Sequence, residues 1–392
     1  MNVVVTGIGA VSAIGSGEAF FEALRQGASG ITEVTILDPG ESASTLAAEI
    51  AEFAVEEYLE SAKTYLDRTS AFTLAAGALA LRDSGYSVAA GEGLRAGVTM
   101  GTAYGCLGTM GAFWEGVLEK GPRLSSSLLF THSYINTPVS LASIEFNLAG
   151  PHGCFCEGAA SAGHALADAA TQLALGRADV MLTGGGESLS TYLYRGYAGM
   201  GWLSPGESGE EGARPFAASR NGCILGEGAG FLLLEREEAA RQRGARPRAR
   251  LLGVGLGGGL TGGGAAAAMS AALAEAGVAP AEVDALFASA AGMREADAAE
   301  AAGLEEVFGG RCVPVVALKA ALGETLGASG ALAALAAVHA LETGLLPGAP
   351  NVGESEFSLD LVREPRTATC HYILVNAFDP RGGCVSLLFG RA

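Results

Sequence analysis

Between Gly150 and His164 the chain reads GPHGCFCEGAASAGH, and here residue type and spacing first raise a question of chemistry. Cys154-Phe155-Cys156 could serve a metal or a redox cycle. A C-x-C alternating along a strand, however, sets both thiols on one face with no second ligand pair, so a core strand is the expected role. Beyond it Ala162, Leu166, Ala169 or Ala170, and Leu173 recur on one helical face, Gly176 supplies a stop, and Val180-Met181-Leu182 begins another strand. Position 159 therefore stands at the N-terminus of a predicted helix, where the helix dipole would favour a thiolate nucleophile. The residue there is alanine.

The surrounding elements alternate. Val3 to Thr6 reads as a buried strand ending at Gly7, Glu18 to Gln26 as a helix, and Ala96 to Met100 as another strand. A second helix-turn-strand unit, AAAAMSAALAEAGVAPAEVDALFASAAG, turns at Pro280. Such recurrence is what an internally duplicated α/β fold leaves in a sequence. The join is expected between Arg246 and Gly264, where Pro247 and the glycines of GVGLGGGLTGGG loosen the pattern, giving halves of 1–250 and 251–392. SPGESGEEGA, Ser204 to Ala213, reads as a loop.

At 392 residues the chain can carry two core-bearing halves. Hydrophobic residues make up 49% and charged residues 17%, the mark of a compact globular protein. The net charge of −18 argues against nucleic acid, whose binding needs clustered Lys and Arg. The richest basic stretch, Arg236 to Arg250, is expected to be a solvated helix end and loop, with a docking surface as the alternative. Seven cysteines, an odd count mostly in apolar runs, read as reduced core residues of a cytoplasmic protein. No signal peptide is read at MNVVVTGIGAVSAIG, and Ala328 to Leu346, interrupted by His339 and Glu342, reads as a buried helix and not a membrane span.

Longer motifs add a resemblance. Gly150-Pro151, the segment around position 159, and Ala178-Asp179-Val180-Met181 followed by glycines resemble the nucleophile region of the β-ketoacyl-ACP synthases, the condensing enzymes of fatty-acid and polyketide synthesis. Arg214-Pro215-Phe216, Arg220-Asn221-Gly222 and Gly226-Glu227-Gly228-Ala229-Gly230 are similar to that family's R-P-F-D-x-x-R-x-G-x-x-x-G-E-G-A-G signature, with Ala217 in the aspartate position. A phosphate-binding glycine loop is the rival reading, and no Lys-Ser/Thr follows the glycines to support it. The resemblance implies a thiolase-like fold: two pseudo-duplicated βαβαβαββ halves forming a five-layer αβαβα core.

In that family a cysteine takes an acyl chain from a carrier, and two histidines support decarboxylation of the extender unit. Here Ala159 stands in the cysteine position, Ser289 in the first histidine position and Glu324 in the second. The five histidines, His132, His152, His164, His339 and His371, fall elsewhere and read as structural. Asn376-Ala377-Phe378-Asp379-Pro380-Arg381-Gly382-Gly383 replaces N-S-F-G-F-G-G, altering the loop that supplies an oxyanion donor. Lys319 and Glu300 are retained, and the resemblance implies that they form a buried polar pair.

This profile is similar to that of chain-length factors, subunits of type II polyketide synthases that pair with a catalytic ketosynthase and shape its tunnel. The resemblance then implies a ketosynthase partner in a heterodimer, an acyl carrier protein whose phosphopantetheine bears the chain, no cofactor of the subunit's own, and no nucleic acid or membrane partner. Tyr104, Met110, Phe113 and Trp114, bulky groups in a small-residue segment, are candidate tunnel and interface residues, with Leu129 and Phe130 as a second set; ordinary core at helical spacing is the competing reading. Two other functions remain open: an enzyme of altered chemistry using Cys156 or Glu324, and a non-enzymatic scaffold.

Overall fold

A computed structural model describes residues 2–40, 42–88, 93–205, 209–350 and 352–392. The first half runs β1 (Val3–Ser12), α1 (Glu18–Gln26), α2 (Arg68–Ser84), β2 (Ala96–Gly101), α3 (Leu107–Lys120), α4 (Ser127–His132), α5 (Thr137–Glu145), β3 (His152–Phe155), α6 (Ser161–Ala174), β4 (Val180–Glu187), α7 (Thr191–Gly199) and β5 (Gly228–Arg236). After α8 (Glu237–Gln242) the second half runs β6 (Ala249–Gly258), α9 (Gly262–Ala276), β7 (Ala285–Phe287), α10 (Arg294–Phe308), β8 (Pro314–Val316), α11 (Lys319–Leu322), α12 (Ser329–Thr343), β9 (Tyr372–Phe378) and β10 (Gly383–Arg391).

The two halves repeat one topology. In the first, the strands lie in the order β1-β5-β4-β2-β3; in the second, β6-β10-β9-β7-β8, beyond which the short strand Asp360–Leu361 pairs parallel with β8. Each order begins with two antiparallel pairings and ends with two parallel ones. The halves join where Val3–Val5 of β1 pairs antiparallel with Ala249–Leu251 of β6. Helices α6 and α12 lie between the two half-sheets, α2 and α5 cover the outer face of the first, and α9 and α10 cover the second. This is the thiolase-like five-layer αβαβα arrangement. Its centre is α12, a run of Ala and Leu buried along nearly its whole length. That helix, with the turn before it, is apolar and long enough to cross a membrane, and most of that stretch is buried inside the protein.

Two sequence expectations change. The glycines of GVGLGGG do not loosen the chain: Gly253, Gly255 and Gly257 alternate on one face of β6, where a Cβ would lie 2.1, 1.9 and 2.1 Å from carbonyl oxygens of α9. They are the surface on which that helix packs. Likewise β1 does not stop at Gly7 but continues to Ser12, because Gly7 and Gly9 admit α2 at the same close range. The basic stretch is largely neutralised: Arg236 pairs with Asp179, Arg243 with Glu235, Arg248 with Asp83 and Glu342, and Arg250 with Glu237. That removes most of the charge a docking surface there would use. The described part of the expected 204–213 loop is irregular, and residues 206–208 lie outside the described residues.

Candidate functional site

The head of α6 is set by a tight turn. Gly158 adopts φ +57°, a short 3-10 turn spans Gly158–Ala160, and Ser161 begins the helix. The Ser161 hydroxyl accepts from the Glu157 amide at 2.8 Å and bonds the Gly158 carbonyl at 2.7 Å, so the turn is closed on itself. Ala159 is buried at its centre. That amide donates to Asp379 Oδ2 at 2.9 Å. Asp379 sits on the turn between β9 and β10, and Arg381 holds it: the Arg381 Nε and backbone amide reach Oδ1 at 2.8 and 2.9 Å. Burial alone would raise this carboxyl's pKa, but the bonds from Arg381 and the Ala159 amide outweigh it and hold Asp379 below the ordinary aspartate value.

From Asp379 the network continues inward. The neighbouring Phe378 amide donates to Ser289 Oγ at 3.0 Å, and Lys319 Nζ donates to the same hydroxyl at 3.2 Å. Lys319 Nζ also lies 2.6 Å from Glu324 Oε2, with both side chains buried. The other Glu324 oxygen accepts from the Leu326 amide at 2.8 Å and from Ser329 Oγ at 2.7 Å. Ala159, Ser289 and Glu324 are thus brought into one connected region, as parts of a satisfied polar network. A small cavity beside it, about 130 Å³, is lined by Ser289, Glu300, Glu324, Phe378 and Asp379.

The expected direct pair of Lys319 with Glu300 is corrected. Glu324 follows α11 closely enough to meet the Lys319 ammonium first. Glu300 instead accepts from the Ser289 amide at 3.0 Å and from Asn376 Nδ2 at 2.8 Å, and it feels Lys319 only at longer range. The cysteine reading also changes in part. Cys106, Cys223, Cys370 and Cys384 are buried, but Cys156 and Cys312 are exposed, and β3 is an edge strand, not a core strand. Burial raises the Cys154 thiol to about 12 and also raises Cys156, so neither is an activated thiolate. Among the described residues no His, Cys, Asp and Glu cluster suits a metal ion.

The glycine-rich signature is structural here. Glu227 accepts from the Ile50 amide at 2.8 Å and the Leu189 amide at 3.0 Å while pairing with Arg68; Arg220 binds the carbonyls of Ala217 and Arg294 and pairs with Glu356 at 2.6 Å. Of the histidines, His339 stacks on Phe21 at 4.6 Å, His132 meets Tyr65 edge-on at 5.2 Å, and His371 lies 3.8 Å from Asp284.

The tunnel candidates divide. Phe113 packs on Trp114 at 5.6 Å and on Phe130 at 5.4 Å, and Phe130 on Tyr134 at 5.2 Å, a continuous aromatic row across α3, α4 and the turn after α4. Met110 and Leu129 are half-buried on the same two helices. Tyr104 lies apart, in an interior cluster with Tyr197 and Leu326. Sequence reasoning missed Tyr134 and the Asp379–Arg381 pair. The signal for the second is an acid and an arginine flanking Pro380, both where the resemblance expects glycine.

Three further carboxyls are buried near the site. Burial pushes Glu187 up to about 7, Asp297 to about 6 and Glu300 to about 7, against backbone amides that favour their ionised forms. Such groups hold more protons folded than unfolded, so stability falls as pH rises from the ordinary carboxyl range toward 7. The slope is at most about 1.4 kcal/mol per pH unit for each group. Thermal unfolding between pH 5 and 7.5 should therefore show a Tm that declines as pH increases; a Tm rising over that window would contradict it.

The fold is thiolase-like, and the positions singled out by the sequence resemblance hold Ala159, Ser289 and Glu324. Residues 1–240 match the beta-ketoacyl synthase N-terminal domain and residues 259–353 its C-terminal domain, so the chain belongs to the β-ketoacyl synthase family. It is 31% identical to the 3-oxoacyl-[acyl-carrier-protein] synthase 2 of Vibrio harveyi, covering 100% of this chain and 98% of that one. It is 30% identical to nodulation protein E of Rhizobium leguminosarum bv. trifolii, covering 99% and 98%. Among solved structures, the ishigamide ketosynthase/chain length factor superposes with a TM-score of 0.92 at 28% identity, covering 100% of this chain and 99% of that chain.

Proposed function

We propose that this chain is a non-catalytic chain-length-determining subunit that pairs with a catalytic ketosynthase and shapes the tunnel into which a carrier-bound polyketide extends. The observation that carries the reading is the filling of all three reactive positions: Ala159 has no nucleophile, Ser289 is held by Phe378 and Lys319, and Glu324 is ion-paired with Lys319. An ionised Glu324 would repel a developing enolate, and alanine cannot hold an acyl group. The raised Cys156 thiol weighs against an altered chemistry built on that residue.

The surface supports a partner of the same fold. Among the described residues β3 pairs with β2 on one side only, leaving its other edge to take a strand. Trp114, Leu128, Phe130, Tyr134 and Ile135 are exposed apolar groups on and beside the aromatic row, and the Ile135 carbonyl lies 3.7 Å from Cys154 Sγ on β3. Edge and apolar face together make one self-consistent docking surface. The acyl chain would arrive on a carrier's phosphopantetheine, the subunit needs no cofactor of its own, and the free thiols suit a cytoplasmic setting.

Tunnel length is the test of the residue assignment. In a reconstituted pair, Phe113→Ala or Trp114→Ala is expected to lengthen the polyketide by at least one two-carbon extension, read by mass spectrometry of the product. Unchanged length in both would remove these residues as the stop.

A further inference from the structure

The missing cysteine does not by itself explain why the head of α6 is closed. In an acyl transfer, the thioester oxygen must find a hydrogen-bond donor beside the nucleophile as negative charge develops on it. The backbone amide of residue 159, at a helix N-terminus, is such a donor. In this chain it is already bonded to Asp379 Oδ2 at 2.9 Å. The Asp379 side chain is 8% exposed, and both of its oxygens are engaged: Oδ1 by the Arg381 amide and Nε, Oδ2 by Ala159 and, at 3.3 Å, by Arg381 Nη2. The turn carrying it is pinned by the Asp379 amide on the Gly383 carbonyl and the Gly382 amide on the Asp379 carbonyl, each at 2.8 Å.

We infer that Asp379, braced by Arg381, is a built-in occupant of the acyl-carbonyl pocket and determines that this site rejects acyl thioesters independently of the missing thiol. A carboxylate at the donor excludes a carbonyl oxygen by position and an oxyanion by charge. The inference deepens the non-catalytic reading, on which it rests. The pocket is closed twice, once by the loss of the nucleophile and once by an internal anion, so an acyl chain has no competing acceptor on this subunit.

The test restores the thiol and asks whether that is enough. In the full-length Ala159→Cys protein, the introduced thiolate would attack the carbonyl carbon of the N-acetylcysteamine thioester of octanoic acid. A new C–S bond forms at position 159, the donor's C–S bond breaks, and N-acetylcysteamine leaves with the electron pair and gains the proton the protein thiol lost. Peptide mapping separates an adduct at position 159 from any on the seven native cysteines. The single variant should acylate slowly, and Ala159→Cys/Asp379→Gly about 100-fold faster, the scale of one oxyanion donor.

Ala159→Cys/Arg381→Ala, which unbraces the carboxylate through an exposed residue, should fall between them and serves if the glycine variant does not fold. Iodoacetamide labelling of the introduced thiol needs no oxygen-binding donor and should be similar in all three. Equal acylation rates, whether fast or undetectable, would overturn the inference, as would a rise matched by an equal rise in labelling, which would make Asp379 a mere shield. Either failure leaves pairing with a ketosynthase untouched, and failure to pair leaves this rate comparison untouched.

Discussion

Lys319→Met is expected to destabilise the fold by about 3–5 kcal/mol, the cost of stranding one member of a buried ion pair. The Lys319 and Glu324 side chains are 7% and 3% exposed, and Lys319 is the only cation within ion-pair distance of Glu324 among the described residues. Without it, Glu324 keeps the Leu326 amide and the Ser329 hydroxyl as partners, too few to hold a charge away from water. Ser289 loses a donor at the same time. The urea unfolding midpoint reads the loss, and Lys319→Met/Glu324→Leu should recover much of it because no unpaired charge remains. A loss below about 1 kcal/mol in the single variant would mean that the pair contributes little more than a surface one.

The second large effect concerns association. Phe130 stands in the middle of the aromatic row, 45% exposed in the isolated chain, between Phe113 and Tyr134. If this face docks a ketosynthase, Phe130→Asp puts a carboxylate into an apolar contact. Affinity for the partner should then fall by about 2–4 kcal/mol, roughly 30- to 700-fold, as at an interface hot spot. Leu175→Asp is the control, an exposed apolar residue beside Arg236 and Glu237 and away from the row. Equal loss in both variants, or none in Phe130→Asp, measured by titration calorimetry, would remove this face from the interface.

Helical periodicity and repeated units made much of the architecture legible in the sequence. Glu18 to Gln26 is a helix over those same residues, and the unit after Ala159 is the expected helix-turn-strand. Glycine was the main source of error. In β1 and β6 it marks a strand face pressed against helix backbone, and a glycine in a single sequence does not distinguish close approach from a turn. Motif resemblance singles out Ala159, Ser289 and Glu324, but not what fills the space around them. Which of two carboxylates meets Lys319 depends on how the chain turns after α11, and Asp379 reaches Ala159 from a turn 220 residues away. Such contacts are set by tertiary packing, and local pattern carries no trace of them.

A non-catalytic, tunnel-shaping role is tested by condensation with each species separately. The chain should be expressed alone, with a type II ketosynthase, and with that ketosynthase carrying its nucleophilic cysteine as alanine, each supplied with malonyl-loaded carrier protein. A one-to-one complex is expected, with polyketide from the wild-type pair only and no condensation product from this chain alone or from the cysteine-less pair. Multi-turnover polyketide formation by the isolated chain would contradict it.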